Sequence, residues 1–345
     1  MAPTMRAAVM RGGAIVVDDV VEPVPAPGQV LVRTIACGIC GSDLHALVHA
    51  EKMVELSRQS GAPFVMDLSR DVVMGHEFAA EVLELGPGVD GAALRPGDVV
   101  VSMPAIVGPD GVGSIGYSNT YPGGYGERMV LSAMLALKVP DGLDARLAAL
   151  TEPMAVGRHA VNRAEMGAGG AALVLGCGPV GLAVIAALAA DGVEPIVAAD
   201  FSPMRRGLAA GLGAHATVDP AVEAAVDVWR RADGVKPLTI FEAVGVPGML
   251  AEAMAAGPRR TRIVVVGVCM EDDTVHPMIG VAKELDVRFA LGYDPVEFAG
   301  TLTAIAEGSI DGAPLITGTV DIDGVPDAFR TLADPSAHAK ILVVP

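Results

Sequence analysis

The sequence predicts an α/β protein of two domains, one β-rich and one built on a doubly wound parallel sheet. Three observations predict it. As far as about residue 150, short β-branched runs alternate with Gly/Pro turns. From about residue 155, apolar strands alternate with alanine-rich helices, the pattern of strands buried on both faces. Finally, Gly176, Cys177, Gly178, Pro179, Val180 and Gly181 follow an apolar strand and open a helix. At 345 residues the chain exceeds one ordinary domain and suits two.

In the first part, runs at 14–17, 29–35, 78–85 and 98–103 read as strands, set apart by turns such as Pro25-Ala26-Pro27-Gly28 and Arg95-Pro96-Gly97. Helix formers at 44–60 interrupt them and end at Gly61 and Pro63. In the second part, strands are expected at Ala171–Leu175, 195–200, Ala216–Val218, 238–243, 262–267 and 286–291. A last strand at 340–344 is expected to rejoin the first domain. The boundaries then fall at 1–154 with 293–345, and at 155–292. Residues 171–190 are uncharged for the length of a membrane span. The glycines and proline between 176 and 181 favour a strand–turn–helix instead, and no span is assigned.

The formal charge of −17 argues against nucleic-acid partners and anionic membrane surfaces, both of which need a basic patch. Cys37, Cys40, Cys177 and Cys269 show no disulfide-framework spacing and no secretory leader precedes them, so a reducing cytoplasm is expected.

At the glycine-rich turn, Gly176 and Gly178 let the backbone approach a pyrophosphate, and Gly181 lets helix and strand pack closely. The helix beginning at Pro179 and Val180 turns its partial positive end toward the phosphates. Asp200 ends the next strand, where a carboxylate accepts from the adenosine ribose hydroxyls and repels a 2′-phosphate. Arg205 and Arg206 nearby suit a 2′-phosphate, but Asp200 sits at the strand end itself, so NAD is expected over NADP.

Residues 37–45 read Cys-Gly-Ile-Cys-Gly-Ser-Asp-Leu-His, and Gly75-His76-Glu77 follows later. Thiolate, imidazole and carboxylate are the usual ligands of a catalytic zinc, and Ser42 and His45 can move protons. A zinc ribbon needs a second cysteine pair, which is absent, and a redox pair leaves His76 and Glu77 unexplained. Cys37 reads as a core residue.

Taken in order, Gly38-Ile39-Cys40-Gly41-Ser42-Asp43, Gly75-His76-Glu77, Gly97-Asp98, Pro122-Gly123-Gly124, Glu152-Pro153 and the turn at 176–181 carry a resemblance. Over nearly its whole length the chain resembles the medium-chain zinc-dependent alcohol/polyol dehydrogenase family, in its sorbitol/butanediol-dehydrogenase-like branch. The resemblance implies a β-rich GroES-like catalytic domain plus a doubly wound Rossmann domain, and a homodimer or homotetramer. It implies Cys40 and His76 as zinc ligands. Glu77 and Glu152 are the candidate carboxylates, one binding directly and the other through water. It further implies that Asp43 orients His76 and that Ser42 and His45 form a proton relay. Many relatives hold a structural zinc in a lobe of four cysteines. Residues 99–135 contain none here, and 106–125 are rich in Gly, Ser and Tyr, so one zinc per chain is expected.

The activity implied is hydride transfer between a secondary alcohol or diol and NAD, with a ketone in the reverse direction. Bound zinc supplies the Lewis acidity, and Ser42 and His45 carry the proton away. Two alternatives stay open: a sorbitol- or xylitol-type polyol dehydrogenase, and a catalytically silent NAD-binding relative. Between Cys40 and His76 lie Leu44, Leu47, Val48, Met53, Val54, Leu56, Phe64, Val65 and Met66. They either pack a surface helix or wall an apolar substrate pocket.

Overall fold

The two textures of the sequence become two compact units, Met1–Glu152 with Ile316–Pro345, and Pro153–Leu315. The structure is a computed structural model that describes residues 2–61, 66–108, 111–167, 169–334 and 336–345.

The first unit is organised around the strand Gln29–Gly38, whose register explains much of the site. It pairs antiparallel with Glu77–Leu85, with Arg128–Ser132 and with the C-terminal strand Lys340–Val343. Cys37 lies opposite both Phe78 and Val343, and Gly38 opposite both Glu77 and Leu342. The expected tail strand therefore does rejoin the first unit, and it delivers Lys340 beside the end of the central strand. A separate three-stranded sheet pairs Thr4–Arg11 with Ala14–Val21 and with Val72–Val73. The strand Thr4–Arg11 was not legible as alternation because its inner stretch, Ala7 to Met10, is buried throughout. The helix expected at 44–60 is two helices, Gly41–Val48 and Ala50–Ser60, broken at His49.

The second unit holds a six-stranded sheet with every pairing parallel. Its spatial order is Ala216–Val218, Ile196–Ala199, Ala171–Leu175, Leu238–Glu242, Arg262–Val265 and Asp286–Phe289. The order reverses at Ala171–Leu175, and the crevice at such a reversal is where doubly wound sheets bind ligands. The helix Pro179–Ala190 is almost wholly apolar and buries Gly181 through Leu188. Gly181 is required there, since a Cβ would lie 1.9 Å from the Gly176 carbonyl oxygen.

The boundary expected at 293 falls instead at 316. The helix Pro295–Ala306 buries Phe298, Leu302 and Ile305. Its Glu297 carboxylate accepts from Asn162 Nδ2 at 2.7 Å and lies 2.8 Å from His159 Nδ1, both on the helix Thr151–Ala164. Packing and hydrogen bonds hold these residues in the second unit, whereas strand order alone suggested the first.

Candidate metal centre and nucleotide site

Cys40 precedes the helix Gly41–Val48, and the start of that helix fixes three candidate residues at once. The Cys40 N–H donates to Asp43 Oδ2 at 3.0 Å, while the Asp43 N–H donates back to the Cys40 carbonyl at 3.1 Å. Ser42 and His45 project from the same short helix, each partly buried. His76 and Glu77 arrive from the start of the strand Glu77–Leu85. The ligand atoms of Cys40, His76 and Glu77 all lie within 4.8 Å of one another, and among the described residues no other such gathering of three or more occurs. Thiolate, imidazole and carboxylate converging in this way fit zinc. Glu152 is nearly buried in the first turn of the helix Thr151–Ala164 and is not one of the three.

Asp43 is the hub of the centre. It is fully buried, with Oδ1 at 3.3 Å from His76 Nδ1, an ion-pair approach rather than a linear hydrogen bond. Tyr117 Oη donates to Oδ1 at 2.7 Å and Tyr125 Oη to Oδ2 at 2.5 Å. Burial pushes the Asp43 carboxyl up, but the His76 charge and the donors around it hold it below the usual carboxylate range. Burial works to lower the His76 pKa, yet Asp43, and then Cys40, hold it well above the ordinary imidazole value. A cation placed here competes with that proton. With Nδ1 turned to Asp43, Nε2 is the nitrogen available to a metal.

Glu77 has an unexpected companion. Lys340 Nζ lies 2.7 and 2.6 Å from its two carboxylate oxygens and donates to the Ile39 carbonyl at 3.2 Å. Both side chains are buried, at 0% and 1% exposure. Burial works to strip the Lys340 proton, but Glu77 and Cys40 hold its pKa above the ordinary lysine value. A metal would have to share Glu77 with this ammonium.

Three residues of the centre were thus missed from the sequence: Tyr117, Tyr125 and Lys340. The available signal was the Gly/Tyr-rich stretch 106–125 and the run Pro122-Gly123-Gly124-Tyr125. The backbone N–H groups of Gly123, Gly124 and Tyr125 donate to the carbonyls of Val73, Gly75 and Met74. A Cβ on Gly123 would stand 2.3 Å from the Gly75 oxygen, so only glycine lets Tyr125 come this close to the loop that carries His76. The stretch expected to replace a zinc lobe forms the hairpin Ala105–Gly108 with Gly111–Ser114 and then presents Tyr117.

The apolar residues of 44–66 are largely accounted for by packing. Leu44, Leu47, Met53 and Val54 lie against the core of the first unit, Met66 is buried in it, and Val48 is exposed. Phe64 and Val65 lie outside the described residues. Packing is thus the reading favoured for the described residues of this stretch. Of the other histidines, His159 lies against Glu297 Oε2 at 2.8 Å and His338 against Thr317 Oγ1 at 3.1 Å. Cys37 is fully buried, as a core residue should be.

In the second unit, Gly176 takes φ +90° and Gly178 caps the helix that begins at Pro179 and Val180. The Asp200 carboxylate accepts from the Cys177 N–H and the Ser202 N–H, each at 2.8 Å. A carboxylate has about four acceptor sites, so capacity remains for ribose hydroxyls. Arg206 is occupied by the carbonyls of Asp200 and Phe201 and by Asp219. Arg205 is different: its Nε is buried with no hydrogen-bond partner, and its Nη1 would lie 3.8 Å from a Cβ on Gly178. A guanidinium with an unpartnered Nε near a phosphate-type turn suits an anion.

A gathering of thiol, imidazole and carboxylate in one unit and a dinucleotide-type turn in the other are the parts a nucleotide-linked dehydrogenase would use. The comparisons agree. Residues 26–141 match the alcohol dehydrogenase GroES-like domain, and residues 179–307 match the zinc-binding dehydrogenase domain. The (R,R)-butanediol dehydrogenase of Bacillus subtilis is 34% identical, over 95% of this chain and 96% of that protein. The sorbitol dehydrogenase of Gallus gallus is 29% identical, over 94% and 91%. The crystal structure of 2R,3R-butanediol dehydrogenase from Bacillus subtilis superposes with a TM-score of 0.85 at 32% identity, covering 99% of each chain. The chain belongs to the medium-chain zinc-type alcohol/polyol dehydrogenase family. It is an oxidoreductase acting on CH–OH donors.

Proposed function

We propose that this chain interconverts a vicinal diol, or a similar secondary alcohol, and the matching ketone, with NAD and one zinc per chain. The observation that carries the reading is the convergence of Cys40, His76 and Glu77 beside Asp43, in a chain 34% identical to a butanediol dehydrogenase over 95% of its own length. Cys40 and His76 would hold the metal, with a carboxylate completing the set. Glu77 is the carboxylate that gathers with them, sharing its oxygens with Lys340, and Glu152 is the other candidate. When bound, zinc supplies Lewis acidity that makes an alcohol hydroxyl easier to deprotonate. Ser42 would accept the substrate proton as it releases its own toward His45, which passes a proton to solvent. Burial, and then the His49 charge, hold the His45 pKa below its ordinary value, so at neutral pH it is the unprotonated base this role needs.

Comparing kcat/KM for 2,3-butanediol, acetoin, sorbitol and xylitol with each nicotinamide cofactor tests the reading. Highest efficiency with the C4 diol or hydroxyketone is expected. A clear preference for sorbitol or xylitol would favour the polyol alternative, which the 29% identical sorbitol dehydrogenase keeps open. No turnover with any of them would favour the silent relative.

Asp200 supports NAD over NADP, since its carboxylate would meet a 2′-phosphate with like charge. Asp200→Gly is expected to raise KM for NAD and narrow the preference, with Arg205 then able to meet the phosphate. Equal efficiency of the unaltered enzyme with both cofactors would overturn this assignment.

Self-association into a dimer or tetramer is in keeping with the edge strand Asp286–Phe289. Beside it Met278, Val281, Phe289, Leu291 and Val296 are all 66% exposed or more. Light scattering that returns a monomer would remove the proposal. The four cysteines are unpaired, in keeping with a reducing cytoplasm. No described helix is long and apolar enough to cross a membrane.

A further inference from the structure

We propose that Tyr117 is a positioning residue for the dehydrogenase reaction, its phenol oxygen fixing the Ser42 hydroxyl so that Ser42 presents a lone pair to the substrate alcohol. The inference rests on the assignment of Ser42 to the proton relay. It comes from counting protons at one oxygen. Tyr117 Oη lies 2.7 Å from Asp43 Oδ1 and 2.9 Å from Ser42 Oγ. A phenol carries a single proton, and an ionised carboxylate is the better acceptor of the two. The Tyr117 proton is therefore committed to Asp43. The 2.9 Å contact is then made by the Ser42 hydroxyl donating to Tyr117 Oη.

That direction has a consequence for chemistry. A serine whose own proton is directed into the protein can accept from an incoming alcohol, whereas a freely rotating hydroxyl spends part of its time donating to it. Tyr117 can hold this direction because it is 3% exposed and its ring packs 5.2 Å from that of His76. The chain of donors runs from Ser42 to Tyr117 to Asp43. It ends on the carboxylate that also faces His76 at 3.3 Å, so relay and metal centre share one anchor.

Asp43 keeps two donors without Tyr117: Oδ2 accepts from Tyr125 and from the Cys40 N–H, while Oδ1 is left with the His76 charge at 3.3 Å. Removing only the Tyr117 hydroxyl should therefore free Ser42 while leaving the metal in place. This separates a positioning role from a structural one.

The experiment is a double-mutant cycle on the zinc-loaded enzyme with 2,3-butanediol or whichever alcohol of the series above it turns over best. Tyr117→Phe is expected to lower kcat about tenfold, the worth of one hydrogen bond, with KM and zinc content unchanged. Ser42→Ala lowers kcat further, and adding Tyr117→Phe to it should have no additional effect, because the phenol acts through the serine. A second reading needs no turnover. In the metal-free protein, the downfield proton resonance of the Tyr117 hydroxyl should move upfield in Ser42→Ala, as its oxygen loses a donor. Additive kcat losses, loss of zinc from Tyr117→Phe, or an unmoved hydroxyl resonance would each overturn the proposal. An unaltered enzyme inactive on every alcohol would count against the proposed function instead, and the resonance would still decide this one.

Discussion

Cys40→Ser is expected to abolish zinc retention and to lower turnover by a factor of about 10³ or more, several kcal/mol of lost Lewis-acid stabilisation. Serine keeps the size of the side chain and its place before the helix Gly41–Val48, so the backbone bonds between residues 40 and 43 can persist. What is lost is a soft, charged donor, replaced by a hydroxyl that stays neutral and binds zinc poorly. Elemental analysis after gel filtration reads the metal. Retained nucleotide binding, followed by NADH fluorescence, reads the integrity of the second unit. One tightly held zinc equivalent with substantial activity in Cys40→Ser would remove the thiolate from the centre.

The second large effect is on stability. Lys340→Met leaves the Glu77 carboxylate buried at 1% exposure without its ammonium partner. Breaking a buried pair from one side costs about 3–5 kcal/mol, because the remaining charge keeps its desolvation penalty. A fall in melting temperature on the order of 10 °C is expected. Melting should be followed on chelator-treated protein, so that metal binding to the released carboxylate does not compensate. Adding Glu77→Gln should recover part of the loss, since it removes the stranded charge. A single variant as stable as the parent, or a double variant weaker than the single, would show that the pair does not anchor the C-terminal strand.

The two substitutions divide the centre by how each part could be found. Cys40, Ser42 and Asp43 are spaced by the first turn of one helix, and a helix start is a local event. Its geometry follows from neighbours in sequence, so the residues could be read together. The same holds for the turn at 176–181, where Gly181 packs against Gly176 a few residues away, and for Asp200 at the end of its own strand. His76 and Glu77 were legible by their chemistry and by the resemblance. The Gly-rich stretch around Tyr117 and Tyr125 marks a close approach of backbone but not its partner, and their separations from Asp43 are 74 and 82 residues.

By itself, then, the sequence determined the class of fold, the strand–turn–helix of the nucleotide site and the donor types offered to a metal. All of these depend on short-range backbone geometry or on side-chain chemistry. Only the tertiary structure decided what surrounds those donors. It turned two phenols toward Asp43, and it ran the final strand beside Gln29–Gly38 so that a lysine 263 residues from Glu77 lies against it. It also gave the helix Pro295–Ala306 to the second unit and turned much of the apolar surface of 44–66 into core packing. The physical reason is the same in each case. A buried charge or hydroxyl must find a partner wherever the fold brings one, and that partner leaves no mark in its own stretch of sequence.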